Sequence, residues 1–68
     1  MINNIQIYID EPTKTVKIYL NAELIKIGTY SEFYELYDGY GYSQAYRGYI
    51  DELNLDNCEI VTHTYKHS

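Results

Sequence analysis

The chain has 68 residues and a mass of 8.1 kDa, room for one small domain (residues 1–68) that buries only about 60% of its unfolded surface. Ten Asp/Glu against five Lys/Arg give a net charge of −5 and a pI near 4.7, which argues against direct binding to nucleic acid or an anionic membrane, since both depend on basic surface. No apolar run approaches the ~18 residues of a membrane span, Met1-Ile2-Asn3-Asn4 has neither the basic nor the apolar region of a signal peptide, and the lone Cys58 excludes an internal disulfide.

Residues 4–10 alternate, with Ile5, Ile7 and Ile9 on one face and Asn4, Gln6 and Tyr8 on the other, the pattern of a half-buried strand. Asp10-Glu11-Pro12-Thr13-Lys14 reads as a turn, because proline fixes φ and removes a backbone donor. Residues 15–20 alternate again: Val16, Ile18 and Leu20 face inward, Thr15, Lys17 and Tyr19 outward. The two segments form a β-hairpin. Asn21-Ala22 is the next turn, without the glycine that tight hairpins favour. Residues 23–28 form a third strand, with Ile25 and Ile27 alternating with Lys26 and Gly28; the competing reading is a short helical turn beginning at Asn21.

Thr29-Tyr30-Ser31-Glu32 fits a capping box, with threonine as cap and glutamate three residues on. A helix over about residues 30–38 follows, with Phe33, Leu36 and Tyr37 as its apolar face. Gly39-Tyr40-Gly41-Tyr42 breaks it. Ser43 caps a second helix to about Asn54, with Tyr46, Tyr49, Ile50 and Leu53 at helical spacing, an exposed Arg47–Asp51 pair, and Gly48 on the outer face, where it would mark a close contact with another chain. Residues 58–65 are rich in β-branched residues and read as a final strand. The tail Lys66-His67-Ser68 reads as loose.

The fold class is therefore α+β: a small antiparallel sheet in the order β-β-β-α-α-β, with both short helices on one face. The expected core is Ile5, Ile7, Ile9, Val16, Ile18, Leu20, Ile25, Ile27, Phe33, Leu36, Ile50, Leu53 and one of Ile60 or Val61. Gln6, Tyr8, Lys17, Tyr19 and Lys26 occupy the open face.

Catalytic and metal signatures are missing from the pattern. Cys58, His63 and His67 are the only soft metal ligands, and their spacing does not converge on a strand and tail. Asp51-Glu52-Leu53-Asn54-Leu55-Asp56 lacks the glycine and ligand rhythm of a calcium loop. Gly39-x-Gly41 lacks the lysine and third glycine of a phosphate loop. No motif places an acid or base beside the cysteine or the histidines. The chain reads as a non-enzyme without a cofactor or metal.

Tyrosine and acid coincide. Of the ten tyrosines, Tyr30, Tyr34, Tyr37, Tyr40, Tyr42, Tyr46 and Tyr49 fall between residues 30 and 49. Over residues 32–59, Glu32, Glu35, Asp38, Asp51, Glu52, Asp56 and Glu59 stand against Arg47 alone, a net of −6. Tyr37, Tyr46 and Tyr49 fill the core edge; Tyr30, Tyr34, Tyr40 and Tyr42 remain for the surface. Tyrosine gives large contact area with few rotors to freeze. On one helix Glu32, Glu35 and Asp38 would rise about 4.5 Å apart, on the scale of phosphates along a DNA strand, about 3.4 Å each. The candidate partner-binding residues are Glu32, Tyr34, Glu35, Asp38, Tyr40, Tyr42, Asp51 and Glu52.

In size, net charge, lone cysteine and the stretch Glu32-Phe33-Tyr34-Glu35-Leu36-Tyr37-Asp38, the chain resembles the very small acidic inhibitors encoded by bacteriophages: anti-CRISPR proteins, anti-restriction DNA mimics and inhibitors of uracil-DNA glycosylase. Its Ile/Asn/Lys/Tyr-rich usage suits an AT-rich genome. The resemblance implies an inhibitor working in the bacterial cytoplasm against a host protein with a basic nucleic-acid-binding groove, above all a CRISPR effector. No residue role carries over position by position. The alternative expectation is a self-associating module, a homodimer built through Tyr8, Lys17 and Tyr19 or through the edges of the first and last strands.

Overall fold

The structure is a computed structural model that describes residues 2–66; His67 and Ser68, with the expectations placed on them, lie outside the described residues. Strand β1 (Asn3–Asp10) pairs antiparallel with β2 (Thr15–Leu20), with Ile5 opposite Leu20 and Ile7 opposite Ile18. The next turn meets its geometric demand without glycine. Asn21 and Ala22 both take positive φ, 51° and 72°, the left-handed pair that matches a tight hairpin to strand twist. Asn21 also accepts a hydrogen bond from the Asn4 N–H on Oδ1 at 3.0 Å.

Strand β3 (Glu23–Thr29) pairs antiparallel with β2, with a register shift. Lys26 lies opposite Ile18 and Leu24 opposite Tyr19, which leaves Ile25 as the extra residue of a bulge. The bulge resets the parity of the strand. Ile25 packs against the core, Lys26 and Gly28 share the helix-facing side with Ile18 and Val16, and Ile27 turns to the open face, 51% exposed. Unbroken alternation had placed Ile27 inside and Lys26 outside.

Strand β4 (Cys58–Tyr65) joins the free side of β1 in parallel, giving the order β3-β2-β1-β4. The sheet is thus mixed rather than wholly antiparallel. The reason is where the helices deliver the chain: Asn57 arrives beside Asn3, whose N–H donates to its carbonyl at 2.8 Å. From there β4 can only run alongside β1. The first strand is therefore interior, and the sheet edges belong to β3 and β4.

Helix α1 (Tyr30–Leu36) carries the expected capping box: the Glu32 N–H donates to Thr29 Oγ1 at 3.2 Å, and the Thr29 N–H donates to Glu32 Oε1 at 2.9 Å. The helix ends earlier than its periodicity suggests, because Tyr37 leaves the helical region at φ −135°. Its buried stripe is Tyr30, Phe33 and the half-buried Tyr37; Leu36 is 67% exposed, and Tyr30 belongs to the core rather than the surface. Two 3-10 turns, Asp38–Tyr40 and Tyr42–Gln44, lead to α2 (Tyr46–Leu53), so Ser43 lies inside a turn rather than at a cap. Asn54 ends α2 in the left-handed conformation.

Gly48 faces inward. A Cβ there would stand 2.5 Å from Tyr37 Cβ, so the close contact it serves is with its own chain. The core is Ile5, Ile7, Val16, Ile18, Tyr30, Phe33, Ala45 and Tyr46, flanked by Ile9, Leu20, Ile25, Tyr37, Tyr49, Ile50 and Leu55. Strand β4 contributes little to it. Ile60 faces the helix side opposite Ile5 yet is 51% exposed, and Val61 is half-buried on the open face.

Candidate partner-binding surface

All eight residues singled out from the sequence are exposed, and all sit on the helical layer. Glu32, Tyr34 and Glu35 are on α1, Asp38, Tyr40 and Tyr42 on the 3-10 turns, and Asp51 and Glu52 on α2. The fold joins the turns to α2 through two phenol–carboxylate bonds. Tyr40 donates its hydroxyl to Asp51 Oδ2 at 2.6 Å, and Tyr37 donates to Glu52 Oε2 at 2.6 Å. The hydrogen bond to Glu52 is the main cause that pushes the Tyr37 phenol up to about 12, with desolvation and the carboxylate charge adding to it. The Tyr40 phenol is raised in the same way by its bond to Asp51. At neutral pH both phenols are therefore uncharged donors.

Glu32 completes the pattern. Its carboxylate is held by the backbone N–H of Thr29, and that bond lowers its pKa below the ordinary glutamate value. Three carboxylates are thus fixed by neutral donors. A lysine or arginine partner would have positioned them equally well but cancelled their charge. Asp51 and Glu52 thus gain position from neutral phenols, while Glu32 also feels the positive charge of Lys26.

Tyr42 is anchored by its neighbours. Its ring meets those of Tyr30 and Tyr34 edge-on, with centroids 5.7 Å away in both pairs, and its hydroxyl lies 2.9 Å from that of Ser31. Such edge contacts fix a large ring without burying it. Two expectations change. Glu32, Glu35 and Asp38 do not climb one helix, because α1 stops at Leu36 and Asp38 opens the following turn. Tyr37, read only as a core-edge residue, also orders the surface through Glu52; its place one turn after Phe33 signalled burial, and nothing in the pattern signalled the bond.

A groove of about 380 Å³ runs between α2 and β4, lined by Ile7, Ile50 and Ile60 with Tyr40, Arg47 and Asp51 on its wall. On the far side of the sheet, Tyr8 stacks on His63 with centroids 4.6 Å apart and meets Tyr19 edge-on at 5.4 Å. His63 Nε2 lies 2.6 Å from Gln6 Oε1. Lys26, carried to the helix side by the bulge, places Nζ 5.9 Å from the centre of the Tyr49 ring.

Among the described residues, no group of three or more His, Cys, Asp or Glu side chains is placed to hold a metal ion. No helix among them is long and apolar enough to cross a membrane. No protein-family model matches the chain, and no curated protein or solved structure matches it either.

Proposed function

We propose that the chain is a non-enzymatic inhibitor whose acidic, tyrosine-studded helical layer docks on the basic groove of a nucleic-acid-handling host defence protein inside the bacterial cell, a CRISPR effector above all. The observation that carries this reading is the way its carboxylates are held: Asp51 and Glu52 by phenols and Glu32 by a backbone amide. Preorganised charge costs less to immobilise on binding than charge on free side chains. Uncancelled charge steers the protein toward a basic surface and makes the association sensitive to salt. The exposed rings of Tyr34, Tyr40 and Tyr42 supply apolar contact between the charges. Stacking residues that normally receive bases could receive these rings instead.

The test uses the immobilised full chain and bacterial lysate, with washes of graded salt and of competing DNA. A nucleic-acid enzyme retained at low salt and released by either wash supports the proposal. Glu35→Lys with Asp38→Lys should abolish retention, since both positions lie outside the capping box and the phenol bonds and can be reversed without unlocking the layer. Retention that survives both the reversal and high salt would overturn it.

A further inference from the structure

The two edges of the sheet are built differently. Edge strand β3 carries a bulge at Ile25 and the charged residues Glu23 and Lys26, all devices that discourage a further strand from pairing. Edge strand β4 runs eight residues without a bulge or proline, and every residue but the half-buried Val61 is exposed.

Its free hydrogen-bonding groups can be assigned by parity. Asn3 donates to Asn57 O and Glu11 donates to Tyr65 O, so the odd-numbered residues of β4 direct their N–H and C=O toward β1. Cys58, Ile60, Thr62 and Thr64 direct theirs outward. We propose that this edge is completed by a second copy of the chain, β4 against β4 in antiparallel register about a two-fold axis through Val61, giving one continuous sheet across the dimer.

Two independent features select that register. Centring on Val61 pairs Cys58 with Thr64 and Ile60 with Thr62, each pair occurring twice, so every outward-facing residue of the strand finds a partner. Centring on Thr62 would instead push Cys58 opposite Lys66, beyond the end of the strand. The Val61 register also sets Glu59 of each copy opposite His63 of the other on the open face, a carboxylate facing an imidazole already oriented by Tyr8 and Gln6. Ile60, 51% exposed in the single chain, gains cover on the helix side. A chain of this size gains most from such a partner. The inference is independent of the acidic helical layer and of what that layer binds.

The register makes a covalent prediction. Facing Val61 residues form a pair without mutual hydrogen bonds, with Cα atoms about 4.5 Å apart, within disulfide reach. Mild oxidation of the Cys58→Ser, Val61→Cys chain should therefore trap a disulfide-linked dimer, while Cys58→Ser, Thr62→Cys should stay monomeric on a denaturing gel. Sedimentation of the unmodified chain over a concentration series should show a monomer–dimer equilibrium. Thr62→Pro removes an outward N–H from each copy and none from the β1 ladder, and should weaken the dimer about tenfold to a hundredfold. If circular dichroism shows that this variant is unfolded, the cysteine pair alone decides. A chain that is monomeric throughout, a dimer indifferent to Thr62→Pro, or preferential crosslinking through Thr62→Cys each overturns the proposal.

Discussion

Tyr37 reaches in two directions at once: its ring lies against Gly48 so closely that a Cβ there would stand 2.5 Å from Tyr37 Cβ, and its hydroxyl donates to Glu52 at 2.6 Å. One residue thereby clamps the chain leaving α1 onto the inner face of α2 and fixes a surface carboxylate. Helix propensity alone favours alanine over glycine by about 1 kcal/mol. At this position the contact reverses that preference, because the neighbour is the rigid root of a ring. Gly48→Ala should destabilise the chain by about 1–3 kcal/mol, measured by urea denaturation, with loss of the Tyr37–Glu52 bond. A stabilised variant would show that the helices are not in contact there.

The Tyr37 phenol gives the fold an alkaline limit. Its pKa rises from 10.0 to about 12 on folding, chiefly through the bond to Glu52, so the folded state holds the proton that the unfolded chain releases. The stabilisation is complete below 10.0 and disappears as the pH climbs through about 12. Tyr37→Phe should be less stable than the unmodified chain at neutral pH, and the gap in melting temperature should close across that window. A gap that stays constant with pH would mean the hydrogen bond contributes nothing.

The capping box gives an acidic limit of opposite sign. Glu32 is lowered from 4.5, first by its bond from the Thr29 backbone and then by the Thr29 side chain. The folded state therefore favours the carboxylate. Its contribution is present above 4.5 and is lost as the pH falls through the lowered value. Glutamine can occupy the same place in the box without titrating, so Glu32→Gln should flatten this part of the pH–stability curve. Thr29→Ala should cost about 1 kcal/mol at neutral pH and less once the pH falls through the lowered value, because the Thr29 side chain helps to hold Glu32 as the carboxylate; thermal unfolding reads both.

Ala22 occupies φ 72° between β2 and β3, where its Cβ is strained by about 1 kcal/mol. Ala22→Gly should raise the stability by a similar amount or slightly less, since glycine also loosens the unfolded chain. Denaturant midpoints of the two chains decide it.

The parts of the fold readable in the sequence are those set by local rules. Alternation of Ile5, Ile7 and Ile9 with Asn4, Gln6 and Tyr8 defined β1, and Thr29 with Glu32 marked the start of α1. What escaped depended on contacts distant in sequence. Nothing local announces the extra residue at Ile25, so the strand was phased as if it were continuous. Periodicity groups Leu36 with Phe33, but the last residue of α1 falls beside edge strand β3, near Ile27 and Glu35, where no further element covers it. The parallel course of β4 is decided by where α2 releases the chain, and a strand this exposed has little hydrophobic pattern to reveal its orientation. The acidic surface was legible in composition. The bonds of Tyr37 and Tyr40 that give it shape join residues with no spacing rule between them.

The central strand β1 is synthesised first, yet its second neighbour is the last strand of the sheet. Until β4 arrives, the backbone of Ile5, Ile7 and Ile9 presents a vacant ladder to the surroundings. The closing step must join segments separated by nearly the whole chain, so loop-closure entropy slows it. Assembly of this domain thus has a window in which a strand carrying Ile5, Ile7 and Ile9 can pair with the wrong molecule. A nascent chain that loses α2 or β4 would stay in that window, which makes completion of the helical layer a condition for keeping β1 covered.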